Sequence, residues 1–332
     1  MVSRTKFDIR PETVKKLFHA SGLGEAVGIR ELGAGEYNAL FSVETKEKEY
    51  VLKIAPDPAI PVLTYEKNMM AAELFWYEQM KKSTSISVPE IYFRDLSRTL
   101  IPADYFIMEK VCGEQLDAVK LSAEEKAEVD GELARMAAQI HRIQNDRFGY
   151  IQNDLYEDWY QALTSFVSNL LEDCAAVGKR SRRGEKLLKC IRAHRETFQK
   201  AECGMVNFDL WPANILCRRK NGKVEYVWID PERSFWGDRI ADFACLELMK
   251  PLEKKKKSLT AYNTVAQNPI LCSDDEKIRY AAAIGYFSLI LETEKYYRYT
   301  PRHFGWWRNV LSSAVFYKKA FRALKSNGWD EQ

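Results

Sequence analysis

A chain of 332 residues with 46% hydrophobic and 29% charged residues can bury a substantial core, as one large domain or as two lobes. Its net charge of +3 is too small to argue for nucleic acid, and with no apolar segment after Met1 and no uninterrupted run of about 18 apolar residues, neither secretion nor a membrane span is expected. Seven scattered cysteines without a Cys-x-x-Cys pair, and four histidines without ligand spacing, argue against a disulfide framework or zinc site and fit a reducing cytoplasm.

Residues Pro11 to Ala20 read as a short amphipathic helix. Val27 to Leu32, Ala39 to Glu44 and Glu49 to Ile54 read as an antiparallel meander of three strands, with Gly33-Ala34-Gly35 in the first turn. The backbone N–H groups of such a turn can approach phosphate oxygens, although a plain hairpin turn explains the same residues equally well. Strict alternation in the third strand sets Val51, Lys53 and Ala55 on one face. A lysine on an apolar face needs a partner. In a helix over about Leu63 to Met80, Glu66 and Glu73 share a stripe with Met70, Tyr77 and Met80. Glu73 is the expected partner of Lys53, and the pair would make a rigid phosphate clamp.

Glu90 to Phe93 and Tyr105 to Glu109 read as two further strands, and Lys110 to Gly113 as a linker. A capping box, Ser122 to Glu125, opens a core helix carrying Val129, Leu133, Met136, Ile140 and Ile143. His141 near its end reads as structural. Helices follow over about Tyr156 to Ala176 and Gly184 to Lys200. Trp236 to Ala244 reads as a loop entering a helix that Asp238 caps, and Asp274 to Ser326 as two long helices joined near Tyr299 to His303. The Lys254 to Lys257 run and the cluster of Arg180, Arg182 and Arg183 read as solvated loops.

The chemistry concentrates in Asn207-Phe208-Asp209-Leu210-Trp211-Pro212-Ala213-Asn214, followed sixteen residues later by Asp230. Two strands around the Asn221-Gly222 turn form a hairpin that returns Asp230 to Asn214. An amide oxygen and a carboxylate converge there, and hard oxygen ligands of this kind suit magnesium, which completes its shell with water and phosphate. Asp209 is left to accept a proton from a substrate hydroxyl.

A strand lysine, a helix glutamate, an Asp-x4-Asn loop, a hairpin and a following Ile-Asp, in this order, resemble the aminoglycoside phosphotransferase and choline kinase superfamily, relatives of protein kinases. The resemblance runs from about Val27 to Phe243. It implies an α+β, bilobal protein-kinase-like fold: a nucleotide-binding lobe over 1–109 with an antiparallel sheet and helix, and a larger, mainly helical catalytic and substrate-binding lobe over 110–332. It implies transfer of the γ-phosphoryl group of ATP to a hydroxyl of a small molecule, aminoglycoside-like or amino-alcohol- or sugar-like, with Mg2+ as cofactor. Asp209 would be the catalytic base, and Asn214 with Asp230 the magnesium ligands. Lys53, steadied by Glu73, would hold the α- and β-phosphates beneath the Gly33 to Gly35 turn, and Met108 to Val111, with Glu109 and Val111 in it, would meet adenine. Asp238 and Asp242 would brace the lower lobe.

The chain departs from the family at Asn207, where histidine is usual. This motivates the alternative of a catalytically impaired nucleotide-binding or scaffold protein on the same fold. For the acceptor, the sequence offers acids for a polyamine (Asp154, Glu157, Asp158, Glu292, Glu294). For a quaternary amine it offers aromatics (Tyr296, Tyr297, Tyr299, Phe304, Trp306, Trp307), which serve equally as packing between two helices.

Overall fold

A computed structural model of the chain describes residues 5–33, 37–220 and 222–329. Helix α1 spans Pro11–Ser21; proline at its first position presets φ, and Gly22 ends it in the left-handed region at φ 72°. Strands β1 (Gly28–Glu31), β2 (Ala39–Glu44) and β3 (Glu49–Ile54) follow, then helix α2 (Met69–Ser83) and strands β4 (Ile91–Asp95) and β5 (Tyr105–Glu109). They form an antiparallel sheet in the order β1-β2-β3-β5-β4.

The two-residue period of β3 and β5 decides what covers each face. Tyr50, Leu52, Ile54, Tyr105 and Ile107 pack with Val14, Leu17 and Phe18 of α1. Val51, Phe106 and Met108 pack with Met70, Leu74 and Tyr77 of α2. Lys53 shares this second face, which is why its ammonium points at α2.

The helix expected over Leu63 to Met80 is two pieces. Thr64–Glu66 is a 3₁₀ turn, Asn68 is left-handed at φ 57°, and α2 starts only at Met69. Glu66 therefore leaves the stripe of Glu73 and turns toward other partners.

A short strand β6 (Glu114–Gln115) and helices α3 (Ala123–Ile140), α4 (Trp159–Ala176), α5 (Arg182–Ala193) and α6 (Arg195–Gln199) come next. The Ser122 capping box forms as expected, whereas Asp158 moves the start of α4 to Trp159 and a break at His194 divides the helix expected over Gly184 to Lys200. Strand β7 (Cys203–Val206) precedes the hairpin β8 (Ile215–Lys220) and β9 (Lys223–Trp228), and β10 (Phe235–Asp238) pairs back on β7. The segment read as a loop before a helix is thus a strand, followed by a 3₁₀ turn over Arg239–Ala244. Asp238 caps that turn through Ile240 N–H at 3.2 Å and also binds Arg279 at 2.7 Å.

The chain closes with α7 (Lys256–Asn263), α8 (Asp274–Arg298) and α9 (Phe304–Ser326), the last two packed along each other. The lysine run read as a solvated loop contains a fully buried member: Lys255 Nζ donates to the carbonyls of Leu246 and Glu247. At the junction of α8 and α9, Tyr299 is buried, but Phe304 and Trp307 in the first turn of α9 are 79% and 55% exposed, so the aromatic group there is only partly core. No helix among the described residues is long and apolar enough to cross a membrane, and all seven cysteines are free.

Candidate active site

The stretch from Asn207 to Asn214 is held from behind by one carboxylate. Asp242 accepts the N–H of Asn207 at 3.1 Å, the N–H of Phe208 at 2.6 Å, and His141 Nε2 at 2.9 Å, while His141 Nδ1 lies 2.8 Å from the Tyr262 hydroxyl. Phe208 is left-handed at φ 58°, a conformation that a bulky residue holds only when its surroundings over-determine it. Its ring is buried among Phe235, Tyr286 and Phe287. The strain sits next to Asp209 and fixes where that side chain emerges.

Asn207 is fully buried, and its Oδ1 accepts the N–H of Asp209 at 3.0 Å. Asn214 then reaches back. Its Nδ2 donates to the Asp209 carbonyl and to Asp209 Oδ2, both at 3.0 Å. Burial pushes the Asp209 carboxyl up from the ordinary aspartate range, against the pull of the Arg233 guanidinium 3.9 Å away and with the help of Asp230. A carboxylate with a raised pKa is a better proton acceptor.

The β8–β9 hairpin delivers the second half of the site. Ile229 N–H donates to the Asn214 carbonyl at 3.0 Å, so the chain passes Asn214 immediately before Asp230. Asp230 is left-handed at φ 62°, and its N–H donates to the Tyr77 hydroxyl at 2.8 Å. Helix α2 therefore sets the backbone at Asp230 as well as the carboxylate of Glu73.

Lys53 meets three carboxylates: Glu73 at 2.8 Å, Asp230 at 2.5 Å and Glu232 at 3.2 Å. Burial alone would push its ammonium down, but these partners outweigh it and hold the group well above the ordinary lysine range. Conversely, burial raises Glu73 to about 8 and Glu232 to about 7, each also raised by Asp230 and lowered by Lys53. Oxygens of Glu73, Asp230 and Glu232 lie within 4.8 Å of one another. Three carboxyl groups crowded around one ammonium therefore hold their protons more readily, and a divalent cation bound among them would favour the ionised forms. Asp230 is the member able to receive one, since its side chain is 35% exposed against 1% for Glu73 and 9% for Glu232.

The structure thus brings Lys53, Glu73, Asp209, Asn214 and Asp230 into one cluster, linked through Arg233 and Asp230. Glu109 ends β5 and Val111 is buried in the segment beyond it. Gly113 there runs so close to β8 that a Cβ would lie 2.7 Å from the Cys217 carbonyl. Gly33 has open space where a Cβ would stand; Ala34, Gly35 and Glu36 lie outside the described residues.

Sequence reasoning missed three participants. Glu232 returns to Lys53 because Pro231 opens a 3₁₀ turn, and Asn38 Nδ2 donates to it at 2.6 Å. Arg233 binds Glu294 at 2.8 Å, and Glu294 shares Arg298 with Glu66. The Pro-Glu-Arg after Asp230 was the available signal. The acids considered for a polyamine are mostly engaged elsewhere: Glu294 in these pairs, Glu292 with Ser181 and Tyr317, Asp158 with Gln161 and Gln199.

The sequence model of the family described as "Phosphotransferase enzyme family" matches residues 28–249. No curated protein sequence matches the chain. Among solved structures, a microcompartment-associated aminopropanol kinase superposes with a TM-score of 0.65 at 17% identity, covering 96% of this chain and 99% of its own. A choline kinase from Streptococcus pneumoniae gives 0.62 at 17% identity, with 95% and 98% covered. A streptomycin–ATP complex of an aminoglycoside phosphotransferase gives 0.60 at 16% identity, with 93% and 99% covered. At these identities the likeness is one of fold, the bilobal kinase-like architecture.

Proposed function

Because this chain belongs to the phosphotransferase enzyme family, we propose that it transfers the γ-phosphoryl group of ATP to a hydroxyl of a small molecule. The observation that supports this best is the joint placement of Asp209 and Asp230, one beside Asn214 and Arg233, the other on Lys53. Phosphoryl transfer needs positioning and charge stabilisation more than covalent chemistry, and these residues divide that labour.

Asp209 accepts the proton of the attacking hydroxyl, at a carboxyl that burial has already made more basic. Asn214 holds it in place by two hydrogen bonds, and Arg233 offsets its charge. Lys53, kept charged by the acids around it, would hold the α- and β-phosphates, with Glu73 fixing its direction. Asp230 and Asn214 would hold magnesium, which supplies charge neutralisation for the phosphates when bound. The backbone of Glu109 to Val111 would meet adenine, and the turn containing Gly33 and Gly35 would cover the phosphates.

Asn207 does not argue for an impaired enzyme. It already gives Asp209 N–H an acceptor, and Asp242 with His141 supplies the bracing of the loop. The test is ADP release from Mg-ATP with a panel of aminoglycosides, choline-like amines, sugars and macrolides. Acceptor-dependent ADP formation is expected. Nucleotide binding without turnover on any hydroxylated acceptor would favour the scaffold alternative instead.

A further inference from the structure

Between the segment after the 3₁₀ turn at Arg239–Ala244 and the helices α8 and α9 lies a cavity of about 430 Å³, within the range of small-molecule sites. Its floor is apolar: Tyr280 and Ile284 from α8, Phe316 and Ala323 from α9, Ala244 at the end of that turn and Leu252 beyond it. Its rim is cationic. Lys250, Lys277, Lys319 and Arg322 line it, against the single acid Glu253.

Two of these cations are already spoken for, Lys250 by Glu247 and Lys277 by Asp274. Lys319 donates to the Met249 carbonyl, and Arg322 has no carboxylate partner among the described residues. Burial and the neighbouring Arg322 hold the Lys319 ammonium below its ordinary range, a repulsion that an anion seated between them would relieve. The cavity wall is built, not incidental. Glu247 and Met249 are both left-handed, at φ 41° and 76°, and the buried Lys255 pins the carbonyls of Leu246 and Glu247. Non-glycine residues keep such a conformation only where their surroundings impose it, and they gather at ligand sites. Leu248 and Met249 beside it are 39% and 42% exposed.

We infer that this cavity is a binding site for an amphiphilic anion: a carboxylate or phosphate head at Lys319 and Arg322, carried on an apolar body that lies over Tyr280, Ile284 and Phe316. The inference is independent of phosphoryl transfer, because none of these residues has a part in the proposed catalytic cluster.

Calorimetric titration of the full chain with decanoate, decyl phosphate, decyltrimethylammonium and inorganic phosphate tests it. Saturable one-to-one binding of decanoate or decyl phosphate is expected, with no comparable binding of the cationic isostere or of phosphate alone; the two anionic arms show which head group is preferred. Arg322→Glu should weaken binding by about tenfold or more, as loss of a charge-assisted contact does, and Arg322→Lys should restore most of it. Arg322 is exposed, so both variants should unfold at the wild-type temperature. Equal binding of the decyl cation, affinity unchanged in a folded Arg322→Glu, or no heat with either decyl anion would each overturn the proposal.

Discussion

Asn207 carries the sharpest single-residue prediction. Its Oδ1 accepts the Asp209 N–H, and an imidazole Nδ1 occupies a similar place relative to Cβ and can accept the same bond. Asn207→His should therefore retain phosphoryl transfer within about tenfold, whereas Asn207→Leu, which leaves the part-buried N–H of Asp209 without its acceptor, should destabilise by about 1–3 kcal/mol. A large gain of activity in the histidine variant, read by initial rates, would show that the asparagine impairs the site. The raised Asp209 carboxyl sets a pH dependence as well. The base acts ionised, so kcat/KM should fall as pH drops through a value above the ordinary aspartate range; a profile flat to pH 4 would remove Asp209 from that role. Asp209, Asn214, Asp230 and Lys53 were legible in the sequence because each sits in a local pattern that fixes its direction. Glu232 and Arg233 were not, since only the 3₁₀ turn at Pro231 shows that they point back into the cluster.

At the scale of elements, the hairpin, the five-stranded sheet and the capping box follow directly from alternation and turn chemistry. The misses share one physical cause, tertiary contacts that override a local pattern. Helix α2 starts late because Glu66 is drawn to Arg298 at 2.5 Å and Thr64 to Asp173 at 2.8 Å, which pull the preceding turn away from the helix axis. Strand β10 forms because β7 offers it an edge. Lys255 looks like part of a solvated run until two carbonyls with left-handed geometry nearby are seen to need it. Lys255→Met should accordingly destabilise by about 1–3 kcal/mol, the effect of leaving buried carbonyls unpaired, while Lys254→Met changes little; urea unfolding of both variants checks the contrast. Lys53→Met strips three acids of their cation and should destabilise by roughly 3–5 kcal/mol at pH 8. Its effect should shrink at pH 5.5, where protonation of Glu73 and Glu232 removes the uncompensated charge.

For the whole molecule, the acid cluster between sheet, α2 and hairpin makes stability depend on pH in an unusual direction. Glu73 and Glu232 have folded pKa values of about 8 and about 7, above the 4.5 of an ordinary glutamate. Between these limits the folded state binds more protons than the unfolded one, so their contribution is fully present below about pH 4.5 and is lost as pH rises through 7 to 8. The thermal midpoint of the ligand-free protein should fall from pH 6 to pH 8.5, and Glu232→Gln should flatten that slope; an unchanged slope would mean that Glu232 ionises normally. The proposed division of labour across the site gives Asp209 the proton and Asp230 with Lys53 the nucleotide. It is tested most directly by comparing wild type and Asp209→Asn for Mg-ATP affinity and for ADP formation with an acceptor found in the panel. Nucleotide affinity is expected within a few-fold of wild type and turnover lower by about 10² to 10⁴-fold, the range of a lost general base. Turnover left intact in the Asp209→Asn protein would contradict it.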